Sequence, residues 1–535
     1  MKIRTVVTAV ALVLTVAVGA ALTFLGCAQP QATPYVHLYM APASPAPGYA
    51  PIPGVQDLYV EHNTEAYDHV DENPFLAART NPLSTFAIDV DTASYANIRR
   101  FLTSNQLPPR DAIRIEEMVN YFRYSYPSPD GQHPFSVTVD VAGCPWTPAH
   151  RLARVALHGK DVDRKDRPPA NLVFLLDVSG SMQPENKLPL VQRAMNLLLD
   201  ELTEQDRVAI VVYASGTGVA LESTSCERKD VIRAAIGRLQ AGGSTNGEGG
   251  IQLAYKQAQQ SFIRGGVNRV ILCTDGDFNV GITDQGSLVS TIEEKAKGGV
   301  FLSVLGFGMG NLKDSTLEKL AKHGHGNHAY IDTISEAKKV LVEEMAGTLI
   351  TIAKDVKIQV EFNPAKVSAY RLIGYEHRLL RKEDFNNDAK DGGDIGAGHT
   401  VTALYEVVPG GVGMDLPSVD ALKYQADPHA APTASEEIMT VKLRYKQPHG
   451  QTSSLISVPV PDKPAKFDAV SDDFKFAASV ASFGMILRDS KHKGQYTLDA
   501  VMELARQTAG NDPYRKEFTQ LVQKAIDLRK GDRHE

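Results

Sequence analysis

Between Asn171 and Leu349 the sequence repeats one alternation: a short apolar run followed by an amphipathic run long enough to be a helix. Strands are expected at Leu172–Leu176, Val208–Tyr213, Arg269–Cys273, Val300–Leu305 and Ala329–Ile331. Helices fall between them at about Lys187–Leu202, Lys229–Leu239, Glu248–Phe262, Ser287–Lys297 and Ser315–Lys322, with a last one near Ser335–Leu349. Strands that are apolar along their whole length must be covered on both faces. The pattern therefore predicts the α/β class, a doubly wound, mostly parallel, Rossmann-like sheet.

At 535 residues the chain exceeds what one core usually holds, so further domains are expected. Before the α/β region, Ser84–Val90 alternates like a strand, helices are expected after Asp91 and over Ile113–Phe122, and Phe135–Val141 and Leu152–Leu157 read as strands. After it, strand-like alternation returns at Val356–Phe362, Val401–Val408, Ile438–Leu443 and Leu455–Val460. Neither flank has enough strands to close a core alone, which predicts one β-rich domain built from both flanks with the α/β domain inserted in it. A C-terminal helical segment follows over Asp472–Arg529. The resulting division is a signal peptide over 1–26, a Pro/Ala-rich tether over 27–80, an N-terminal flank over 81–165, the α/β domain over 170–350, a β-rich flank over 351–465 and a helical region over 466–535.

Lys2 and Arg4 precede an apolar run from Val6 to Leu25, the charge pattern of an export signal. Phe24-Leu25-Gly26-Cys27 resembles the lipobox at which bacterial signal peptidases cut before a cysteine that becomes acylated. That resemblance implies a lipoprotein anchored through Cys27, exported, and facing the periplasm or the surface from the cell membrane or outer membrane. Three cysteines then remain, and an odd number cannot all pair. Cys273 sits in an apolar run as a small buried thiol; whether Cys144 and Cys226 bridge is open.

The first strand of the α/β region runs into Asp177-Val178-Ser179-Gly180-Ser181-Met182. One carboxylate and two hydroxyls at alternate positions of a loop offer the hard oxygens that magnesium prefers, although the same residues also suit a capped turn. Asp177-x-Ser179-x-Ser181 resembles the metal-ion-dependent adhesion site of von Willebrand factor type A domains. That family adds a Thr and an Asp from two further loops, which correspond here to Thr245 in Gly242–Asn246 and Asp275 in Thr274–Asp277. The flanks, with Ser84–Tyr95 before the domain and Gly396–Val401 after it, resemble those of a bacterial lipoprotein subgroup. The resemblance implies a site for Mg2+ or Mn2+ formed by Asp177, Ser179, Ser181, Thr245 and Asp275. It also implies a protein partner that supplies an Asp or Glu carboxylate to the ion, in an adhesion-type binding module rather than an enzyme.

The other readings are a scaffold for a cell-envelope complex with a structural metal site and, more remotely, a magnesium-dependent phosphotransferase. The last needs a second carboxylate two residues after Asp177, where Ser179 stands. A formal net charge of -7 provides no basic field for nucleic acid. Gly306–Gly310 has the spacing of a tight turn rather than a dinucleotide fingerprint. His323, His325 and His328 are read as a normal connection rather than a zinc site, and the acidic run Asp384–Asp394 as a hairpin tip rather than a calcium loop, since Ile395 stands where the calcium-binding hand needs Glu.

Overall fold

Strand pairing brings together segments from opposite sides of the α/β region. In the computed structural model, residues 65–531 are described apart from 89–90, 164–165, 245–247, 277–284, 311, 345–346, 348–349, 391, 415–434 and 449. The N-terminal flank supplies β1 (Leu76–Ala77), β2 (Leu83–Ala87), α1 (Ala93–Thr103), α2 (Ile115–Asn120), β3 (Phe135–Gly143) and β4 (Arg151–Gly159). The α/β domain runs β5 (Ala170–Asp177), α3 (Leu188–Glu201), β6 (Arg207–Tyr213), β7 (Thr217–Ser225), α4 (Lys229–Gly237), α5 (Glu248–Gln260), β8 (Val267–Thr274), α6 (Gln285–Lys297), β9 (Phe301–Phe307), α7 (Asp314–His323), β10 (His328–Ile331) and α8 (Ile334–Lys338). Then come β11 (Thr351–Phe362), β12 (Val367–Ile373), β13 (Gly393–Gly396), β14 (Thr400–Pro409), β15 (Glu437–Lys446), β16 (Ser453–Pro461), α9 (Asp472–Leu487), α10 (Leu498–Thr508) and α11 (Pro513–Gly531).

The α/β sheet has the order β10-β9-β8-β5-β6-β7. Its pairs are parallel except for β7, which runs antiparallel to β6. Every residue of β5 and β8 is buried, as expected of central strands covered by helices on both faces. β7 adds a sixth strand to the five expected. It lies at the edge with mostly half-exposed residues, so it lacks the apolar run that marks its neighbours. The closing helix is shorter than predicted: α8 ends at Lys338 and passes into a π-helical turn over Lys339–Glu343.

Two antiparallel sheets make up the flanking domain. One is β1-β12-β14-β4-β3; the other is β13-β11-β15-β16, with β2 also on β11. β4 pairs with β14 from Thr400↔His158 to Val407↔Arg151, and β2 pairs with β11 from Lys357↔Ala87 to Glu361↔Leu83. Each sheet thus needs strands from both flanks. Their inner faces share one core that includes Phe86, Leu157, Val360, Tyr405 and Leu443. A second core, with Leu152 and Leu404 beside Phe476, Phe483 and Phe518, lies under the C-terminal helices. Residues 65–80, placed in the tether by the sequence, are already engaged: Asn73 donates to the carbonyls of Leu372 (3.1 Å) and Gly374 (2.7 Å). Cys144, Cys226 and Cys273 are all buried free thiols, so no bridge joins Cys144 to Cys226.

Buried ion pairs connect the inserted domain to its host. Arg99 of α1 donates from Nε to Asp332 and from Nη2 to Glu336, each at 2.8 Å. Arg114 reaches Asp314 at 2.5 Å, and Arg378 from the other flank meets both Asp91 (3.1 Å) and Glu318 (2.9 Å). All of these side chains are almost fully shielded from water. Removing one member strands the charge of the other, at a cost of about 3–5 kcal/mol. Arg99→Met is therefore expected to lower unfolding stability by that amount in a denaturant titration, whereas Arg193→Met, at the exposed pair with Glu185, should change it by less than about 1 kcal/mol. Equal effects would contradict the interlock.

Candidate functional site

The order of the α/β sheet reverses between β5 and β8, and an open α/β sheet binds ligands in the crevice beyond the carboxyl ends of such strands. β5 ends at Asp177 and β8 at Thr274, followed by Asp275. Both carboxylates are buried. The Asp177 side chain organises the first loop: Oδ1 accepts the Ser179 backbone N–H at 2.9 Å, and Oδ2 lies 3.4 Å from the donating Thr274 hydroxyl. The loop then makes one 3-10 turn over Gly180–Met182, anchored by the buried Met182. This places Ser179 Oγ 3.0 Å from Ser181 Oγ, with Ser181 exposed at the rim.

A second loop is clasped to the first by backbone bonds in both directions. Gly242 N donates to Val178 O at 2.8 Å, and Gly180 N to Gly243 O at 2.9 Å. Gly243 has φ 84°, and a Cβ there would meet Ser215 Oγ at 2.4 Å. Ser215 Oγ in turn accepts the Ser244 N–H at 2.9 Å. Asp177, Ser179, Ser181 and Asp275 thus stand at the carboxyl ends of neighbouring central strands. Thr245, two residues beyond Gly243, lies outside the described residues, as does Cys27.

Burial holds the Asp177 carboxyl above the usual aspartate range; the charge of Asp275 pushes the same way, against hydrogen bonds from Ser179 and Tyr213. Lys187 Nζ donates to Asp275 Oδ2 at 2.9 Å with both side chains buried, a contact the sequence reading missed. One signal was available. Lys187 is the N-cap of α3, where the helix dipole disfavours a cation, so it has to be held there by something else. Gly308 makes room for it: a Cβ there, at φ 78°, would come within 2.2 Å of Lys187 Cε. The glycines of 306–310 therefore form a tight turn beside the site, as expected.

Among the described residues the crevice holds two buried carboxylates and one amine, that of Lys187 on Asp275, which leaves it short of positive charge. Ligands about 2.0–2.1 Å from an octahedral magnesium stand roughly 2.9 Å apart when adjacent. The Ser179–Ser181 separation of 3.0 Å matches such an edge, although one hydroxyl donating to the other gives the same distance. The donor set of hydroxyls and carboxylates thus fits a hard divalent ion. Among the described residues another carboxylate cluster, Asp91, Glu117 and Glu318, is close enough to hold a metal. Its charges are already met by Arg114 and Arg378, and Glu117 also accepts the Ser94 N–H at 2.8 Å. His323 bonds to Glu293, while His328 is buried in β10, and no metal-holding group among the described residues contains these imidazoles. Of the acidic run, Asp384 caps its own turn and Asp388 bonds to Ser453, while Asp391 lies outside the described residues.

Comparison with known proteins matches three family models: "von Willebrand factor" over 61–154, "von Willebrand factor type A domain" over 171–344 and "Uncharacterized protein YfbK, C-terminal" over 347–528. The Escherichia coli (strain K12) protein described as "Uncharacterized protein YfbK" is 45% identical over 472 residues, covering 86% of this chain and 81% of its own. Human inter-alpha-trypsin inhibitor heavy chain H4 is 30% identical over 194 residues, 34% of this chain and 21% of its own. Among solved structures, the von Willebrand factor type A protein of Catenulispora acidiphila is 16% identical with a TM-score of 0.39, covering 73% of this chain and 90% of its own.

The clasp between the two loops can be tested through Gly243. Gly243→Ala forces a side chain into a left-handed backbone position and against Ser215, and should lower stability by about 1–3 kcal/mol in urea. Gly216→Ala, where a Cβ meets open space, is the control and should change little. Equal effects would remove the basis for the clasp.

Proposed function

Given that the chain belongs to the family of the Escherichia coli YfbK protein and carries its von Willebrand factor type A domain, we propose that it is a metal-ion-dependent binding module on an exported, lipid-anchored protein. Domains of this type are protein-interaction modules. The observation that carries the reading is the convergence of Asp177, Ser179, Ser181 and Asp275 in one charge-deficient crevice, with the loop that leads to Thr245 clasped against it.

Mg2+ or Mn2+, when bound, would supply an electrophilic centre for an exogenous carboxylate. Ser179 and Ser181 would hold the ion through their hydroxyls, and Thr245 would join them from the second loop. Asp177 and Asp275 would balance the ion's charge from behind; Asp177 also fixes the loop through the Ser179 N–H. Lys187 keeps Asp275 partly neutralised, so the protein itself does not cancel the ion's charge completely. An Asp or Glu from a partner would complete the shell with a charge-assisted contact. Nothing in this donor set supplies a second carboxylate at Ser179 for phosphoryl transfer, which is why binding rather than catalysis is proposed. The anchor is proposed from Cys27 and the apolar run before it, with the protein facing the periplasm or the surface; among the described residues no helix is long and apolar enough to cross a membrane.

Calorimetric titration of Mg2+ and Mn2+ is expected to show one site in the wild type, weakened by about tenfold or more, roughly 1.4 kcal/mol, in Asp177→Ala. Undiminished affinity in Asp177→Ala would refute the site. Thr245→Ala should weaken partner capture more than metal binding. A pull-down in magnesium against one in chelator separates this reading from that of a scaffold: capture that ignores the metal supports the scaffold. For the anchor, metabolic labelling with a fatty acid should mark the wild type and not Cys27→Ser, and equal labelling of both would contradict lipidation.

A further inference from the structure

At the other end of the α/β sheet from Asp177, β8 carries an arginine near its start. Arg269 is 2% exposed. Its Nη1 donates to Ser303 Oγ at 2.6 Å, and the guanidinium lies 5.7 Å from the centre of the Phe301 ring. Its Nε has no hydrogen-bond partner. Among the described residues, nine other arginines are buried, though none as fully, and each forms an ion pair with an aspartate or glutamate. Arg269 has no such pair and feels Asp394 only through space. Burial lowers its pKa to about 10, which leaves it charged near neutral pH. A buried charge without a directly bonded counter-ion is unfavourable, and among the described residues none reaches Arg269; the charge of Asp394 acts on it only at a distance.

Beside it lies a cavity of about 210 Å³ at the seam between the inserted domain and its host. One wall is apolar, with Leu172, Leu198, Ile271 and Leu305 from the α/β core. The flanks contribute polar groups, among them Asn120 and Thr400, together with the rings of Tyr121 and Phe122. His328 also lines the cavity, and both of its ring nitrogens lack partners. Burial lowers its pKa, which favours a neutral imidazole with one N–H to donate. The carboxylates of the lining are engaged elsewhere. Asp91 is held by Arg378, Glu344 by Lys339 and Glu343 by Tyr514, while Asp161 is largely exposed beside His158.

We propose that this cavity binds a small amphipathic carboxylate, its apolar tail against Leu172, Leu198, Ile271 and Leu305 and its carboxylate on Arg269. A planar carboxylate suits the guanidinium fork, and the apolar wall favours a ligand with a tail over a bare inorganic anion. An apolar cavity of about 150 Å³ already holds a benzene molecule, so the size suits a short acyl or aryl acid. The site lies apart from the Asp177 crevice and does not rest on the metal reading.

The test is calorimetric titration of the full chain with octanoate, alongside octanol, which has the tail without the charge, and inorganic phosphate, which has charge without the tail. Octanoate is expected to bind saturably at one site and raise the melting temperature, with octanol and phosphate at least about tenfold weaker, a difference of about 1.4 kcal/mol. Arg269→Met should fold at least as well as the wild type, because it removes an uncompensated buried charge, and should lose the octanoate response. Ile271→Phe, which fills the apolar wall and keeps Arg269, should weaken octanoate binding while melting cooperatively; if either variant fails to melt cooperatively, the other decides. Asp177→Ala should bind octanoate like the wild type. Absence of saturable octanoate binding, equal binding of octanol or phosphate, or an octanoate response that survives both cavity variants would overturn the proposal.

Discussion

The antiparallel ladder between β4 and β14 ties the two flanks together across the inserted domain. It joins Arg151–His158 to Thr400–Val407 and so brackets the whole inserted domain. The chain leaves this ladder at Gly159, whose N–H donates to His399 O at 2.8 Å. A Cβ on Gly159 would meet Gly396 O at 2.7 Å and the Ile352 side chain at 2.8 Å, so the exit and return of the insertion lie directly against each other. A domain hung between two adjacent points can be inserted without breaking its host. The buried arginines then fix how it sits: Arg99 and Arg114 come from one flank and Arg378 from the other, and all three grip acids of the α/β domain.

This attachment divides the α/β sheet by function. Near the amino ends of the central strands, Leu172, Arg269 and Ser303 face the host across the seam cavity. The carboxyl ends of β5 and β8 carry the Asp177 crevice, where two buried carboxylates are held by loop hydrogen bonds and by the amine of Lys187. The two ends carry opposite electrostatic deficits. Among the described residues the crevice holds more buried carboxylate than amine and the seam has no carboxylate bonded to Arg269, and each imbalance is built from groups already desolvated by folding.

The parts legible in the sequence were those that local pattern determines. β5 and β8 announce themselves through the apolar runs Leu172–Leu176 and Val270–Cys273, which central strands covered on both faces require, and Asp177-x-Ser179-x-Ser181 is contiguous. β7 and β12 were not legible. β7 is a half-exposed edge strand, and β12 has Arg371 in its midst, buried only because Glu406 of the adjacent β14 neutralises it. Pairings between distant residues are the general blind spot: Lys187 reads as a helix start until Asp275 is placed beside it, and Arg269 reads as a strand residue until its missing carboxylate is noticed. The inserted architecture was legible because neither flank alone has enough strands to cover its own apolar faces.

Whether the crevice at Asp177 takes a divalent ion can be read from anomalous diffraction by crystals of the full chain grown with Mn2+. A peak is expected on the rim at bonding distance, roughly 2.0–2.2 Å, from the hydroxyl oxygens of both Ser179 and Ser181. Crystals with full Mn2+ access and no peak there, or a peak at Asp91, Glu117 and Glu318 instead, would contradict it.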